Sequence, residues 1–286
     1  MPISAKELVD SVSTLISLPS TVMHVNDMTS DQQYSAADIG ETIARNSELS
    51  ARLLRIANSP FFGFPSHINT VPRAITVIGT SELRDLLLAT SAIDAFNDLP
   101  NDLVSMETFW RHSLRCGVIA RSLAMHLHKP NVERFFAAGL LHDIGSLLIN
   151  HKLPELAGKV LAKSHHNRQR RFLIEQELMG FNHATIGAEL LRQWGLPDYI
   201  IEAVEHHHTP GLATRHPQDA AIAHIANYLS NTMLLNMDEH LEISEAFDTT
   251  ALKTAGLSPE SLQSILQHSE SHFNDTLEIM VYDQVA

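Results

Sequence analysis

The chain has 286 residues, of which 44% are hydrophobic and 19% are charged, a composition that is typical of globular proteins and excludes bulk disorder. Its single cysteine, Cys116, excludes a disulfide framework and a zinc site built from cysteines. The 20 basic and 33 acidic side chains give a formal net charge of −13, which argues against a general nucleic-acid binder and against a protein that docks on an anionic membrane surface.

The N-terminal segment lacks the pattern of a signal peptide. Asp10, Ser11, Ser13 and Thr14 interrupt its apolar positions, whereas a signal peptide has an uninterrupted apolar core. No stretch of the sequence approaches the ~18 apolar residues that a membrane span needs. We therefore expect a soluble protein of the cytoplasm that makes no membrane contact.

Apolar residues at helical spacing dominate the chain and predict an all-α fold. Leu49 and Leu53 are four residues apart and Ile56 follows on the same helix face. The one β-branched run of note, residues 68–79, contains Pro72, which disfavours a strand. Further helices are predicted over residues 81–96, 107–128, 133–149, 154–164, 183–194, 198–207, 217–235 and 258–282. A polar break at residues 97–102 predicts a boundary between an N-terminal helical lobe, residues 1–105, and a larger second lobe.

Histidine is the unusual feature of the composition, with 18 residues. The segment AAGLLHDIGSLLI, residues 137–149, places His142 beside Asp143 in an apolar helix. Adjacent helical residues do not share a face, yet both reach one ion where the pair lies at the edge of a cleft. An imidazole nitrogen and a carboxylate oxygen together form half of a divalent metal site.

Other histidines extend this pattern along the chain. His112 precedes the pair, His183 follows it near a predicted helix start, and three consecutive histidines occupy residues 206–208. Taken singly, each is more typical of a surface or hydrogen-bonded histidine, and the triple run suits a solvated helix end. The joint order of H, HD, H and HH favours a metal site.

The same segments, in this order, resemble the HD superfamily of metal-dependent phosphohydrolases and specifically its HDOD (HD-related output domain) branch. The likeness extends over roughly residues 8–212 and includes WRHSLRCGVIARSLA, FAAGLLHDIGSLLI, EQELMGFNHATIGAELLRQWGLP and VEHHHTP. The resemblance implies an HD-like helical lobe with a His/Asp cleft over residues 106–215. Residues 216–286 are then a C-terminal helical extension.

The resemblance also implies the ligands of that cleft. By position the metal ligands are His112, His142, Asp143, His183, His207 and His208, and Asp143 is the residue that bridges metals or orients a water if the protein is active. Iron, manganese or a similar divalent ion suits a site of imidazoles and carboxylate without thiolate. No organic cofactor is expected.

Two positions depart from catalytic members of the superfamily. Asn227 stands where a later aspartate ligand is expected, and Ser146 stands where the related HD-GYP phosphodiesterases carry a lysine. An amide offers no charge to offset a cation, and Ser146 supplies no positive group for a transition state. His224, one turn before Asn227, is a candidate replacement ligand.

Three functions remain open from the sequence. The first is a bacterial signal-transduction module that acts through a protein partner, holds a divalent metal and has little or no catalytic activity. The alternative is a metal-dependent phosphohydrolase or phosphodiesterase acting on a nucleotide or a cyclic dinucleotide. The third is a helix-turn-helix over residues 35–58, with Arg52 and Arg55 on its second helix. Residues 1–105 carry 6 basic and 12 acidic side chains, however, so a packed helical hairpin without nucleic acid is favoured.

Overall fold

The computed structural model describes residues 3–13, 15–59, 63, 67–97, 99–101, 103–164, 168–233 and 247–277. Within these residues all regular structure is helical, which confirms the all-α prediction. The first helices are α1 (Ala5–Asp10), α2 (Ser20–Ser30), α3 (Ala36–Ala44), α4 (Ser47–Ala57), α5 (Val71–Ile78) and α6 (Thr80–Asn97). Among the described residues, no helix has both the length and the apolar character that crossing a membrane requires.

The remaining helices lie within the second predicted lobe and the predicted extension. They are α7 (Met106–His126), α8 (Glu133–Leu141), α9 (Ile144–Lys152), α10 (Pro154–Lys163), α11 (Arg168–Met179), α12 (His183–Gln193), α13 (Asp198–His206), α14 (Pro217–Met233), α15 (Thr250–Ala255) and α16 (Pro259–Leu277). A short 3₁₀ helix, Pro210–Leu212, lies between α13 and α14. The ends of the predicted helices 217–235 and 258–282 lie outside the described residues.

Helical spacing predicted most of the longer helices, whereas α2, α5, α11 and α15 lie outside the predicted ranges. The single helix predicted over 133–149 is wrong, because the chain breaks between α8 and α9 at His142 and Asp143. Helix α11 was not predicted, although Ile174 and Leu178 have the i,i+4 spacing of a helix face and pack against the core. Residues 71–78 form a helix in spite of Pro72, which lies in the first turn where no intrahelical N–H is needed.

The apolar core continues across the predicted lobe boundary. Phe96 of α6 packs edge-on against Trp194 at the end of α12, with ring centroids 6.2 Å apart. A second contact crosses the same predicted boundary: the hydroxyl of Tyr199 on α13 donates to the buried Asp85 of α6 at 2.9 Å. Helix α14, which opens the predicted extension, packs against α7 and shares an apolar cluster with α15 and α16. The extension thus lies directly against the lobe that carries the histidines.

The predicted hairpin at residues 35–58 consists of α3, a short turn and α4. Arg52 on α4 forms ion pairs with Asp94 of α6 and with Glu48, and only 12% of its side chain is exposed. Its guanidinium is therefore engaged inside the fold.

Glycines let the helices around the HD pair approach closely. A Cβ on Gly139 of α8 would lie 2.7 Å from the Cα of Gly117 on α7. A Cβ on Gly145 of α9 would lie 2.1 Å from the carbonyl oxygen of His183 and 2.5 Å from the backbone nitrogen of Gly187 on α12. Both contacts are to backbone, which cannot swing away. The crossing of α9 and α12 thereby holds Asp143 and His183 at a fixed separation.

A carboxylate holds the chain between the triple histidine and α14. Glu202 on α13 accepts hydrogen bonds from the backbone N–H groups of Thr214, Arg215 and His216, at 2.6, 2.9 and 2.5 Å. Burial raises the pKa of Glu202, but these three donors outweigh burial and lower the pKa below its ordinary value. Glu202 therefore fixes where α14 begins.

We expect Gly145→Ala to lower the free energy of unfolding by about 1–3 kcal/mol, because the new methyl group meets backbone atoms of α12. Gly158→Ala on α10 is the matched control, since a Cβ there meets nothing within 4 Å. That variant should be more stable than wild type by about 0.5–1 kcal/mol, as Ala is the better helix former. Urea unfolding of the three proteins checks this, and equal stabilities of the two variants would contradict the close crossing.

We expect Glu202→Gln to reduce the free energy of unfolding at pH 7 by about 1 kcal/mol. This loss is small for charged hydrogen bonds, because water reaches the carboxylate and screens its charge. A group with a lowered pKa in the folded state stabilises the protein above its unfolded pKa, and this stabilisation is lost as the pH falls through the folded pKa. The difference between wild type and variant should thus shrink as the pH falls below about 4.3, the ordinary pKa of a glutamate. A difference independent of pH in urea titrations would refute this assignment.

Candidate metal centre

The break between α8 and α9 places both residues of the HD pair in one cleft. His142 retains helical dihedral angles at the end of α8, whereas Asp143 has φ −99° and ψ 4° before α9 begins. As a result the side chains do not diverge as they would on a continuous helix, and His142 Nε2 lies 3.3 Å from Asp143 Oδ2.

Histidines from three other parts of the chain converge on the same carboxylate. Oδ2 of Asp143 lies 3.8 Å from His112 Nε2 on α7. Oδ1 lies 3.2 Å from His183 Nε2 at the start of α12 and 3.7 Å from His207 Nε2 after α13. Two groups of candidate ligand atoms result, each with all atoms within 4.8 Å of one another, and both include Asp143: His112, His142 and Asp143; and Asp143, His183, His207 and His208.

The structure therefore brings together all six residues that the sequence analysis selected. Their role as metal ligands stays a prediction, which the geometry of the rings supports. His208 joins the cluster through His183, whose Nε2 lies 3.0 Å from His208 Nε2. Two imidazole nitrogens bound to one ion at about 2.1 Å and at a right angle are separated by about 3 Å.

Hydrogen bonds on the far side of each ring orient the inner nitrogens. His142 Nδ1–H donates to the carbonyl oxygen of Gly139 at 2.8 Å, and His207 Nδ1–H donates to that of Val204 at 2.7 Å. Because Nδ1 of each ring is committed to a carbonyl oxygen, Nε2 is the nitrogen that the ring presents to the cleft. The Nε2 atoms of both rings are buried and make no hydrogen bond with the described residues, so they fit a cation better than an apolar contact.

His112 and His183 are oriented by side chains instead of carbonyl groups. His112 Nδ1 lies 3.1 Å from the hydroxyl of Ser230 on α14. Glu175 on α11 accepts from both the backbone N–H of His183 at 2.8 Å and its Nδ1–H at 2.6 Å. A carboxylate behind a metal-binding histidine fixes its tautomer and increases its basicity.

Opposite charges shift the titration of the central residues. Burial raises the pKa of Asp143, but the adjacent His142 overrides it and holds that pKa well below the ordinary value. Burial lowers the pKa of His142, and Asp143 more than reverses this effect. Burial likewise lowers the pKa of His183, yet Glu175 and Asp143 raise it to about 9. Without a metal, protonated imidazoles therefore balance the carboxylates.

The last two candidate ligands, His207 and His208, have lowered pKa values. Burial lowers the pKa of His207 to about 4. Burial and the neighbouring rings of His207 and His183 hold the pKa of His208 well below its usual range. Both rings are neutral at pH 7 and available to an ion without losing a proton.

His224, the candidate replacement ligand, does not serve that purpose. Its Nδ1–H donates to the carbonyl oxygen of His207 at 2.8 Å, and its Nε2 accepts from the backbone N–H of Asp248 at 3.1 Å. Both nitrogens are thus engaged with backbone. His224 instead ties the His207 backbone to the segment that precedes α15.

A small cavity adjoins the second ligand group. Its volume is about 10 Å³, the space that one water-sized sphere occupies. Its lining includes both positions that depart from the catalytic pattern, and the full set is Asp143, Ser146, Arg171, His183, His208 and Asn227.

Helix α11 contributes residues that sequence reasoning missed. Phe172 stacks on His208 with ring centroids 4.3 Å apart and planes 6° from parallel, Arg171 lines the cavity, and Glu175 binds His183. In the sequence this segment stood out by the basic cluster RQRR, residues 168–171, a pattern that is more often a solvated surface.

We expect Glu175→Gln to weaken the binding of Mn²⁺ by about tenfold, because the amide holds His183 less firmly and makes it less basic. Glu177→Gln is the matched control, since Glu177 lies on the exposed side of α11 and pairs with Lys163. Competition with a fluorescent chelator measures both affinities, and circular dichroism checks that each variant is folded. Equal affinities for the two variants would exclude this role of Glu175.

Comparisons of sequence and structure find known proteins that are similar to this chain. A curated relative, an uncharacterised protein of Treponema pallidum (strain Nichols), is 23% identical over 205 residues, which are 71% of this chain and 39% of that protein. The chain thus spans well under half the length of that relative.

Two solved structures share the fold over nearly the whole chain. A protein of Shewanella amazonensis SB2B, provisionally assigned as a phosphohydrolase, has a TM-score of 0.73 and 23% identity, with 96% of this chain and 98% of that chain covered. A protein of Marinobacter aquaeolei VT8, provisionally assigned to signal transduction, has a TM-score of 0.67 and 20% identity, with 94% and 60% covered.

The sequence also matches the HDOD domain family over residues 15–210. This range holds all six residues of the cluster around Asp143, and it ends just before the helix that carries Asn227. With two thirds of its length matched and the helical fold of its structural neighbours, the chain belongs to the HDOD domain family.

Proposed function

We propose that this protein is a metal-binding signal-transduction module of the HDOD type, which acts through contacts with a protein partner and has little or no catalytic activity. The ligands we propose are His112, His142, Asp143, His183, His207 and His208. A divalent ion such as iron or manganese would neutralise the Asp143 carboxylate in place of the protons on His142 and His183.

The observation that carries this proposal is the closed form of the cleft. Six candidate ligands converge, yet the adjoining cavity of about 10 Å³ has room for no more than a water molecule. A nucleotide needs several hundred Å³ of pocket. The absence of a carboxylate at Asn227 and of a lysine at Ser146 points the same way, since metal-assisted hydrolysis depends on such charges.

The net charge of the chain suggests what kind of partner it binds. A net charge of −13 favours a protein with a basic face and disfavours nucleic acid. The ion pair of Arg52 with Asp94 supports leaving DNA out of the proposal, because this guanidinium is one of two that the second helix of the hairpin would offer to phosphate.

One observation favours the alternative, a metal-dependent phosphohydrolase acting on a nucleotide or a cyclic dinucleotide. Arg171 lines the cavity beside Asp143 and His183. It supplies from α11 the kind of positive group that Ser146 lacks.

The two functions differ in what the metal-loaded protein does. We expect protein purified without nickel chromatography to contain iron or manganese by mass spectrometry, and Asp143→Ala and His142→Ala to lose it. The matched control is His126→Ala, an exposed histidine at the end of α7. We also expect hydrolysis of bis-p-nitrophenyl phosphate with added Mn²⁺ to be no faster for wild type than for Asp143→Ala.

Other results would decide against the proposal. Turnover by wild type that disappears in His142→Ala and Asp143→Ala would establish the phosphohydrolase. Metal content that is unaffected by either substitution, or absent from wild type after loading, would overturn the metal centre.

A further inference from the structure

Basic side chains are concentrated in one part of this acidic chain. Residues 152–171, which include α10 and the start of α11, carry six of the 20 lysine and arginine side chains but only one of the 33 acidic ones, Glu155. The rest of the chain therefore holds 14 basic and 32 acidic side chains. Exposed charges act over about 8 Å at physiological ionic strength, so a local excess of positive charge can attract a partner that the rest of the protein repels.

Part of this charge lies on adjoining exposed sides of α10 and α11. Lys159 and Lys163 are exposed and one turn apart on α10. Arg170 is exposed on α11, and Leu173 and Glu177 follow it at the i+3 and i+7 positions of the same helix side. Lys163 Nζ lies 3.4 Å from Glu177 Oε1, so the two helices meet there. These five side chains form the α10–α11 face.

The α10–α11 face combines an apolar side chain with charges that have no ion-pair partner. Leu173 is 60% exposed, which is unusual for a leucine on a regular helix next to charged residues. Lys159 and Arg170 form no ion pair with the residues that the structure describes, whereas Glu177 is paired with Lys163 within the face. An apolar centre with a polar rim is the composition of a protein–protein interface, and arginine is enriched there.

The charge of the face determines which class of partner fits it. With Glu177 paired, the excess charge is positive, so the complementary surface is acidic. A nucleic acid is disfavoured, because a long polyanion would extend over the acidic remainder of the chain and Leu173 offers nothing to phosphate. A partner with a basic face suits that acidic remainder and would not compete for these residues.

We propose that the α10–α11 face docks an acidic segment of a protein partner. An apolar side chain of that segment packs on Leu173, and its carboxylates pair with Lys159 and Arg170. The opposite side of α11 carries Phe172 and Glu175, which contact two candidate metal ligands. This inference takes from the proposed function only that the protein acts through protein contacts, and it does not depend on the metal centre.

Fluorescence anisotropy with the full chain tests the charge of the face. The probe is a fluorescein-labelled helical peptide of glutamate and leucine, and its reference is the same peptide with glutamine in place of glutamate. We expect wild type to bind the glutamate peptide more tightly. Combined Lys159→Gln and Arg170→Gln should weaken this binding about fivefold, the joint effect of two exposed ion pairs. Combined Lys6→Gln and Lys253→Gln is the matched control, since it removes two exposed lysines elsewhere and changes the net charge equally.

The apolar contact is tested with the same peptide. We expect Leu173→Gln to weaken its binding about fivefold, because a leucine side chain then loses its apolar partner. Leu15→Gln is the control, since Leu15 is 62% exposed before α2. Circular dichroism checks that every variant is folded.

Several outcomes would overturn this inference. One is equal affinity of wild type for the two peptides, and another is an equal loss of affinity in the control and the face variants. A labelled DNA duplex that binds in place of the peptide would identify nucleic acid as the occupant. Dimerisation in analytical ultracentrifugation that Leu173→Gln abolishes would identify a second copy of this chain. The peptide assay uses no metal, so its failure leaves the metal centre standing, and protein that takes up no metal leaves this result unaffected.

Discussion

The Asp143 carboxylate is the interaction on which the rest of the centre depends. Its two oxygens face imidazoles from different parts of the chain, so it joins both candidate ligand groups. A carboxylate largely removed from water needs a positive partner. In the metal-free protein His142 and His183 supply that charge as imidazolium, since Asp143 and Glu175 raise their pKa values against the effect of burial. A divalent ion would replace those protons and couple metal affinity to pH.

Backbone contacts hold this cluster in place. The crossing at Gly145 sets the separation of α9 from α12, and bonds to carbonyl groups set the rotation of the His142 and His207 rings. The ring nitrogens are thus directed inward before any ion arrives, which lowers the conformational entropy lost on binding. Helix α14 also reaches the candidate centre, through the contact of Ser230 with His112 and through Asn227 in the cavity lining.

Helix α11 contacts the second group of candidate ligands at three points. Phe172 stacks on His208, Glu175 accepts a hydrogen bond from His183, and Arg171 lines the adjoining cavity. Asn227 and Ser146, which line the cavity beside these imidazoles, carry no charge. Charges at such positions activate water and stabilise transition states in metal-assisted hydrolysis.

The all-α class was predictable from helical periodicity, which is a local pattern. The six candidate ligands were predictable from the order of the histidines together with the resemblance to the HDOD family. Four further features were decided only by the tertiary structure: the break at His142–Asp143, the engagement of His224 with backbone, the packing of α14 on α7, and the position of α11. Each depends on contacts between residues far apart in the chain. A pattern read along one helix does not contain these contacts, since which helices cross, and how closely, is set by packing of the whole core.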